Sequence, residues 1–190
     1  MSTQLRADAQ RNLERVLDAA TELFAARGCD VSVDEIARRA GVGHATVFRR
    51  FPTKDALVSA VVSKQIRELI GFVEDALAET DAGEAFRGFV WHAGELHARD
   101  RGLHEGFSRC ANVGEVAAAK AELNGLIGQL IERAQEAGAL RPDIAADDVS
   151  TLVGSAIRGA ADSPDPELWR RYVEVVLDGL RPPSGDRSTA

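Results

Sequence analysis

The sequence predicts an all-α protein of about nine helices. Apolar residues recur at helical spacing through most of the chain, and the period-two alternation of a half-buried strand is absent. Glycines and prolines fall between the apolar runs, where helices are expected to end. The 190 residues are 45% hydrophobic, which is enough to bury the core of an ordinary domain and of a smaller one.

The first two helices are bounded by clear start and stop signals. Residues 13–24 carry apolar side chains at the spacing of one helical face, and Gly28 follows as a stop. Ser32 and Glu35 have the spacing of a capping box, in which the serine hydroxyl accepts from the amide three residues on and the glutamate reaches back. Gly41 ends the second helix because the tight turn there needs a positive φ.

The later helices are separated by short breaks. A short third helix is expected over about 44–51, where Pro52 stops it, and Thr53 is expected to cap a fourth helix. In the last helix, Asp165 suits the N-cap and Pro166 the first helical position. The apolar spacing predicts helices over about 54–79, 84–99, 114–137, 146–161 and 165–180, with a short helix and loop over 101–112.

Charge is distributed unevenly along the chain. The net charge of −7 by itself argues against nucleic acid as a partner. However, residues 1–55 carry a balance of +1 and the remainder −8, and residues 38–54 hold five basic residues and no acid. Because a local cationic patch governs phosphate binding, the N-terminal part remains a candidate for nucleic-acid binding.

Several other classes of protein are disfavoured. No apolar stretch is long enough for a membrane span, and the polar start lacks the apolar middle of a signal peptide, so we expect a cytoplasmic protein. Cys29 and Cys110 are far apart and form no CxxC pair, so both are expected to be reduced. His92, His97 and His104 lack the spacing of a metal site. No catalytic motif or phosphate loop is present, so we expect neither a cofactor nor an enzyme.

Residues 32–51 have the organisation of a helix-turn-helix: a capped helix, a glycine turn and a short second helix. Val47 and Phe51 are four apart and can pack against the two preceding helices. The set that then points elsewhere is short, polar and cationic, as a helix that reads the major groove requires: His44, Ala45, Thr46, Arg49 and Arg50.

Lys54 gives an independent indication. It occupies the first turn of the fourth helix, where the helix dipole disfavours a cation. Together with the exposed amides at that terminus it would make a phosphate site. The alternative is that Lys54 is only solvated, and that the neighbouring Asp55 offsets its unfavourable interaction with the helix dipole.

The segment from Ser32 to Leu57, SVDEIARRAGVGHATVFRRFPTKDAL, resembles the DNA-binding domain of the TetR/AcrR family of transcription regulators. The resemblance extends over about residues 10–57, whereas the rest of the chain resembles the family in length, helix count and paired C-terminal helices. It implies base-edge contacts that begin at His44 and Ala45 and a phosphate-binding lysine at Lys54. The full set of DNA contacts expected on this basis is Ser32, Val33, His44, Ala45, Thr46, Phe48, Arg49, Arg50, Thr53 and Lys54.

Two positions depart from the pattern of the family. Phe48 stands where many relatives have tyrosine, so a phosphate hydrogen bond is lost while contact with a thymine methyl remains possible. Gly43 replaces the serine often found before the recognition helix and is a weaker N-cap. Both departures make the operator sequence harder to infer.

The resemblance implies a domain organisation. We expect a helix-turn-helix DNA-binding domain over 1–55, a helical effector-binding and dimerisation domain over 56–181, and a polar tail over 182–190. Aromatic residues concentrate in one part of the second domain, either as core or as the lining of an apolar cavity. The candidate effector-binding residues are Phe72, Phe86, Phe89, Trp91, His92, Phe107, Cys110 and Asn124.

The last two helices are the expected dimer interface. The final helix is too apolar for a single buried stripe, and small residues line its partner. A four-helix bundle between two chains would bury both, in agreement with the family. The candidate interface residues are Val149, Leu152, Val153, Ile157, Trp169, Tyr172, Val173, Val176 and Leu180.

These observations predict a homodimeric regulator that binds a palindromic double-stranded DNA operator. By resemblance to the family, it is a repressor that a small apolar or amphipathic effector releases. The alternative is a helical protein-interaction module without DNA binding. Catalysis in the aromatic region has no constellation of residues to support it.

Overall fold

A computed structural model describes residues 2–99, 114–160, 163 and 165–182. These residues form helices and turns and contain no strand, so the all-α class is confirmed. The short helix and loop predicted over 101–112 lie outside the described residues, as does nearly all of the predicted tail. The helices are α1 (Ser2–Arg27), α2 (Val33–Ala40), α3 (His44–Arg50), α4 (Lys54–Ala78), α5 (Ala82–Arg99), α6 (Gly114–Glu136), α7 (Ala146–Gly159) and α8 (Leu168–Gly179).

The chain divides into two compact units. The first contains Met1–Arg67 and Arg99–Lys120, and the second contains Glu68–Ala98 and Ala121–Ala190. Helices α4 and α6 therefore contribute residues to both units. The domain boundary near residue 55 stays a prediction. Among the described residues, no helix has the length and apolar character needed to cross a membrane.

The first unit is held together by an apolar core beneath α1, α2 and α3. Exposed ion pairs join its helices, among them Arg39 to Glu22 at 2.6 Å and Lys64 to Asp18 at 2.5 Å. Because exposed ion pairs contribute little free energy, the apolar core supplies most of the stability. Its buried residues include Val16, Ala20, Phe24, Ile36, Ala37, Val47, Leu57 and Val58.

The local signals around α2 act largely as predicted. Gly28 and Gly41 have φ values of 73° and 65°, as expected of the residues that end α1 and α2. The Ser32 hydroxyl accepts a hydrogen bond from the Glu35 amide at 3.3 Å. The reciprocal half of the capping box is different, because the Glu35 carboxylate lies 2.5 Å from the Arg27 guanidinium and joins α2 to the end of α1.

In the second unit, Arg133 of α6 hydrogen bonds to backbone carbonyls at the end of α4. Its guanidinium donates to the carbonyl oxygens of Ala76 at 3.3 Å and Thr80 at 3.4 Å, and also to that of Glu79. The last carbonyls of a helix have no partner within the helix, so a basic side chain there satisfies them.

The predicted start of the last helix is wrong. Residues 165–167 form a turn, and α8 begins at Leu168 rather than at Pro166. The Asp165 carboxylate accepts from the Glu167 amide at 2.9 Å and from Arg171 at 2.7 Å. The hydrogen bond from Arg171 lowers the pKa of Asp165 below its ordinary value. This aspartate therefore stabilises the turn that precedes the helix.

Trp169 of α8 packs tightly against α5. It is buried, its ring meets that of Trp91 edge-on at a centroid distance of 5.6 Å, and the Arg170 guanidinium lies 4.6 Å from its centroid. Opposite the ring is Gly94, where an added Cβ would lie 2.1 Å from Trp169 Cζ3. The absence of a side chain at Gly94 is what lets the indole approach α5.

Gly94→Ala is therefore expected to lower the free energy of unfolding by about 1–3 kcal/mol, because the new methyl group overlaps a buried ring. Gly88→Ala on the same helix is the matched control, since nothing lies within 4 Å of its added Cβ. That control is expected to be neutral or stabilising by up to about 1 kcal/mol. Urea denaturation of both variants measures the difference, and equal stabilities would contradict the packing described.

Candidate nucleic-acid interface

The turn between α2 and α3 depends on glycine. Gly41 is left-handed, and its amide hydrogen bonds to the carbonyls at the end of α2. The Val42 amide donates to the Ala37 carbonyl at 3.0 Å, which reverses the chain within three residues. A Cβ at Gly41 would also meet the Arg15 guanidinium at 2.5 Å. The backbone of Gly43 is extended and caps α3 without a side-chain hydrogen bond.

Helix α3 presents one face to the core and the rest to solvent. Val47 and, just after the helix, Phe51 are buried, as the sequence predicts. Phe48, Arg49 and Arg50 are exposed. The first turn of the helix carries three further candidate DNA contacts. His44 and Ala45 are exposed, and Thr46 is half-buried.

The exposed surface of α3 is cationic. Within the part of the chain that the structure describes, Arg49 and Arg50 have no acidic partner, and Arg38 of α2 is exposed. Arg39, by contrast, is engaged by Glu22. The cationic stretch seen in the sequence is thus partly neutralised on α2 and left available on α3.

His44 has a defined environment that sequence reasoning did not foresee. Its Nδ1 lies 2.5 Å from Oδ1 of Asp34 in the first turn of α2. Its ring is stacked near that of Phe48, with centroids 5.9 Å apart and planes 16° apart. The sequence offered no signal for the contact with Asp34, because ten residues and a turn separate the two side chains.

The start of α4 adjoins this helix in sequence and carries the candidate phosphate site. The Thr53 hydroxyl accepts from the Ala56 amide at 3.1 Å, which confirms its predicted capping role. Lys54 follows as the first helical residue and is half-buried, while Asp55 is exposed. At the start of α2, Ser32 is exposed and Val33 half-buried.

The candidate effector-binding residues are only partly described. Phe86 and Phe89 are buried in the second unit, and Asn124 is exposed. Phe72 stacks on His92 with centroids 3.9 Å apart and planes 2° apart. Trp91 belongs to the cluster around Trp169 described above, and Phe107 and Cys110 lie outside the described residues. The described residues bring together no group of three His, Cys, Asp or Glu side chains able to hold a metal ion.

The candidate dimer residues fall into two groups. Leu152 and Tyr172 are exposed, at 46% and 42% of their surface, and Val175, on the same helix as Tyr172, is 72% exposed. Val176 is half-buried. The other candidates are buried within their own chain and support this surface rather than form it: Val149, Val153, Ile157, Trp169, Val173 and Leu180.

A helix-turn-helix with an outward-facing cationic second helix, followed by a helical body, defines a DNA-binding transcription regulator. Residues 16–61 match the model described as bacterial regulatory proteins, tetR family, and residues 81–182 match that of the transcriptional regulator SbtR-like C-terminal domain. The second match covers more than half of the chain. The chain belongs to the TetR family of transcription regulators.

Individual relatives agree with this assignment. A mycofactocin biosynthesis transcriptional regulator of Mycobacterium tuberculosis is 38% identical over 73 residues, or 38% of this chain and 37% of that protein. An HTH-type transcriptional repressor of the same species is 54% identical over 48 residues, or 25% of this chain and 26% of that protein. The matches thus span well under half of either relative. Both bear the names of transcriptional regulators.

A solved structure is similar over nearly the whole chain. The crystal structure of the TetR transcription regulatory protein from Mycobacterium vanbaalenii has a TM-score of 0.71 and 38% sequence identity. The alignment covers 93% of this chain and 99% of that chain. The predicted family is therefore confirmed for both the N-terminal and the C-terminal parts.

Proposed function

We propose that this regulator is a homodimeric repressor that binds a palindromic operator and is released by a small apolar or amphipathic effector. The observation that carries the DNA-binding part is the exposed face of α3, on which Arg49 and Arg50 have no acidic partner among the described residues. One such helix contacts only a few base pairs, so useful specificity requires two copies in successive major grooves, about 34–36 Å apart.

The side chains divide into two roles on DNA. His44, Ala45, Thr46, Phe48 and Arg50 lie on the groove-reading helix and are proposed to contact base edges and thymine methyl groups. The proposed backbone contacts flank that helix. They are made by Ser32 and Val33 at the start of α2 and by Thr53 and Lys54 at the start of α4, where the helix amides also favour phosphate. Arg49, in the last turn of α3 itself, is proposed to make a further backbone contact.

Lys54→Ala separates a phosphate contact from a base contact. The expected result is weaker binding to every DNA sequence alike, with the slope of log K against log salt reduced by about 2 for a dimer that loses two contacts. Fluorescence anisotropy at several salt concentrations measures this slope. Arg67→Ala, which removes an exposed arginine further along α4, is the control. An unchanged slope would mean that Lys54 is only solvated.

The homodimer is proposed to form through α7 and α8. Leu152, Tyr172 and Val175 leave large apolar surfaces exposed on these two neighbouring helices. Isolated apolar side chains are normal on a protein surface, but three on adjacent helices are typical of a protein–protein contact. A two-fold axis would place the same patch of each chain against the other.

The effector is proposed to bind in the second unit. Ligand binding is typical of the family, and the stacked pair Phe72 and His92 offers an aromatic surface with a polar edge that is not fully buried. An effector that binds better to a conformation of the second unit that does not bind DNA would shift the population away from the DNA-binding conformation. A coupling of about 1–3 kcal/mol corresponds to roughly a 5- to 150-fold loss of operator affinity.

A release assay tests this proposal. Operator duplex is displaced from the full chain by a panel of apolar and amphipathic small molecules, and calorimetry measures the binding of each molecule separately. The proposal expects a molecule that lowers operator affinity, and by reciprocity the operator lowers the affinity of that molecule by the same factor. The proposal is contradicted if every molecule shown to bind the protein leaves its affinity for the operator unchanged.

A further inference from the structure

A carboxylate of α2 orients the first side chain of the groove-reading helix. Asp34 Oδ1 lies 2.5 Å from His44 Nδ1, and the imidazole stacks near Phe48. The His44 and Asp34 side chains remain 54% and 70% exposed. An ion pair this exposed adds at most about 1 kcal/mol to stability, so fold stability is a poor explanation for a carboxylate at a surface proposed to meet phosphates.

The contact restricts what the ring can offer to DNA. A carboxylate only accepts hydrogen bonds, so the proton lies on Nδ1 of His44 and only Nε2 remains for another partner. In the neutral ring Nε2 is an acceptor, and in the charged ring it is a donor. One fixed atom therefore has opposite hydrogen-bonding characters in the two protonation states.

We propose that Asp34 is a positioning residue that makes His44 a proton-dependent reader of one base pair. With a neutral ring, Nε2 accepts from the exocyclic amine of adenine or cytosine. With a charged ring it donates to an acceptor, which guanine offers at N7 and O6, adenine at N7 and thymine at O4, and cytosine does not offer in the major groove. The inference rests on the proposed DNA contacts of α3.

The charges around the ring are few. On α2, the helix packed against α3, Asp34 faces the ring while Glu35 is engaged by Arg27. Also on α2, Arg39 is engaged by Glu22 and Arg38 is exposed. On α3 itself, the charged residues are the two arginines at its last turn. Asp34 is thus the acidic group in contact with His44.

The test is a selection of bound duplexes from a library of random DNA, with the full chain, at about pH 6 and about pH 8. At one position of each half-site, cytosine is expected to be preferred over guanine at high pH and guanine over cytosine at low pH, by about 3- to 10-fold, because cytosine offers only a donor there and guanine only acceptors. All other positions should keep their preferences, which separates this effect from a general effect of pH on affinity.

Asp34→Ala and Asp34→Asn separate positioning from charge. Asp34→Ala frees the ring, so the preference at that position should flatten at both pH values. Non-specific affinity should rise at the same time, because a negative charge is lost. Asp34→Asn keeps an oxygen that accepts from Nδ1 and should retain the high-pH preference. Asp30→Ala, which removes another exposed carboxylate of the first unit, should leave all base preferences unchanged.

The possible results distinguish a failure of the inference about Asp34 and His44 from a failure of the proposed DNA binding. If Asp34→Ala raises affinity uniformly and leaves the base preference intact, the carboxylate only repels DNA and the inference is wrong. The same holds if the wild-type preference at that position does not change with pH. If the wild-type chain enriches no DNA sequence at either pH, the proposed function fails, and the inference fails with it.

Discussion

Val175→Glu is expected to convert the proposed homodimer into a monomer and to lower operator affinity by at least about 100-fold. Val175 is 72% exposed in the single chain and lies on the same helix as the exposed Tyr172. In a two-fold interface, the substitution would bury two carboxylates close to each other, which costs several kcal/mol without a compensating partner. Binding of a palindromic site requires the helix-turn-helix segments of both chains at once, so loss of the dimer removes most of the affinity for the operator.

Light scattering coupled to size exclusion measures the oligomeric state, and anisotropy measures operator binding. Circular dichroism should show an unchanged helical fold, because the substituted side chain contributes little to the core of its own chain. Gln129→Glu adds one carboxylate at an exposed position of α6 and serves as the control. A Val175→Glu protein that remains a dimer would place the interface elsewhere.

Arg50→Ala is the second large effect. The exposed guanidinium at the end of α3 is suited to a bidentate contact with guanine O6 and N7, worth about 1–3 kcal/mol of discrimination. We expect about a 10- to 100-fold loss of affinity for the selected operator and a relaxed preference at one position of each half-site. Non-specific DNA should be bound nearly as well as before.

Arg67→Ala is the matched control for this variant because it removes an exposed arginine outside the proposed interface. A uniform loss of affinity for all sequences would reassign Arg50 to a phosphate contact. Equal affinities of wild type and variant for the operator would exclude Arg50 from the interface. The fold is not expected to change, since the side chain is exposed.

The helix-turn-helix was predictable because the sequence signals that define it are local. The Ser32 cap, the left-handed Gly41 and the inward spacing of Val47 and Phe51 each act within a few residues, and the structure has all of them. The start of the last helix was less predictable. Asp165 is a good N-cap by sequence, but it stabilises a turn two residues long before the helix begins.

Contacts through space were beyond the sequence. The pairing of Asp34 with His44 depends on how α2 crosses α3, and the approach of Trp169 to Gly94 joins residues far apart in the chain. Helical spacing identifies apolar side chains but does not tell a core residue from the lining of a cavity, so Phe86 and Phe89 fitted both descriptions. For the same reason, the dimer candidates included residues that are buried in their own chain.

Selection of bound fragments from random duplex DNA by the wild-type protein tests the central claim most directly. The claim is that two copies of α3, each held outward by α1 and α2, enter successive major grooves. It predicts an inverted repeat whose half-sites are centred about 34–36 Å apart, or a multiple of that distance, along one face of the duplex. Enrichment of no sequence, or of a single half-site without its repeat, would contradict it.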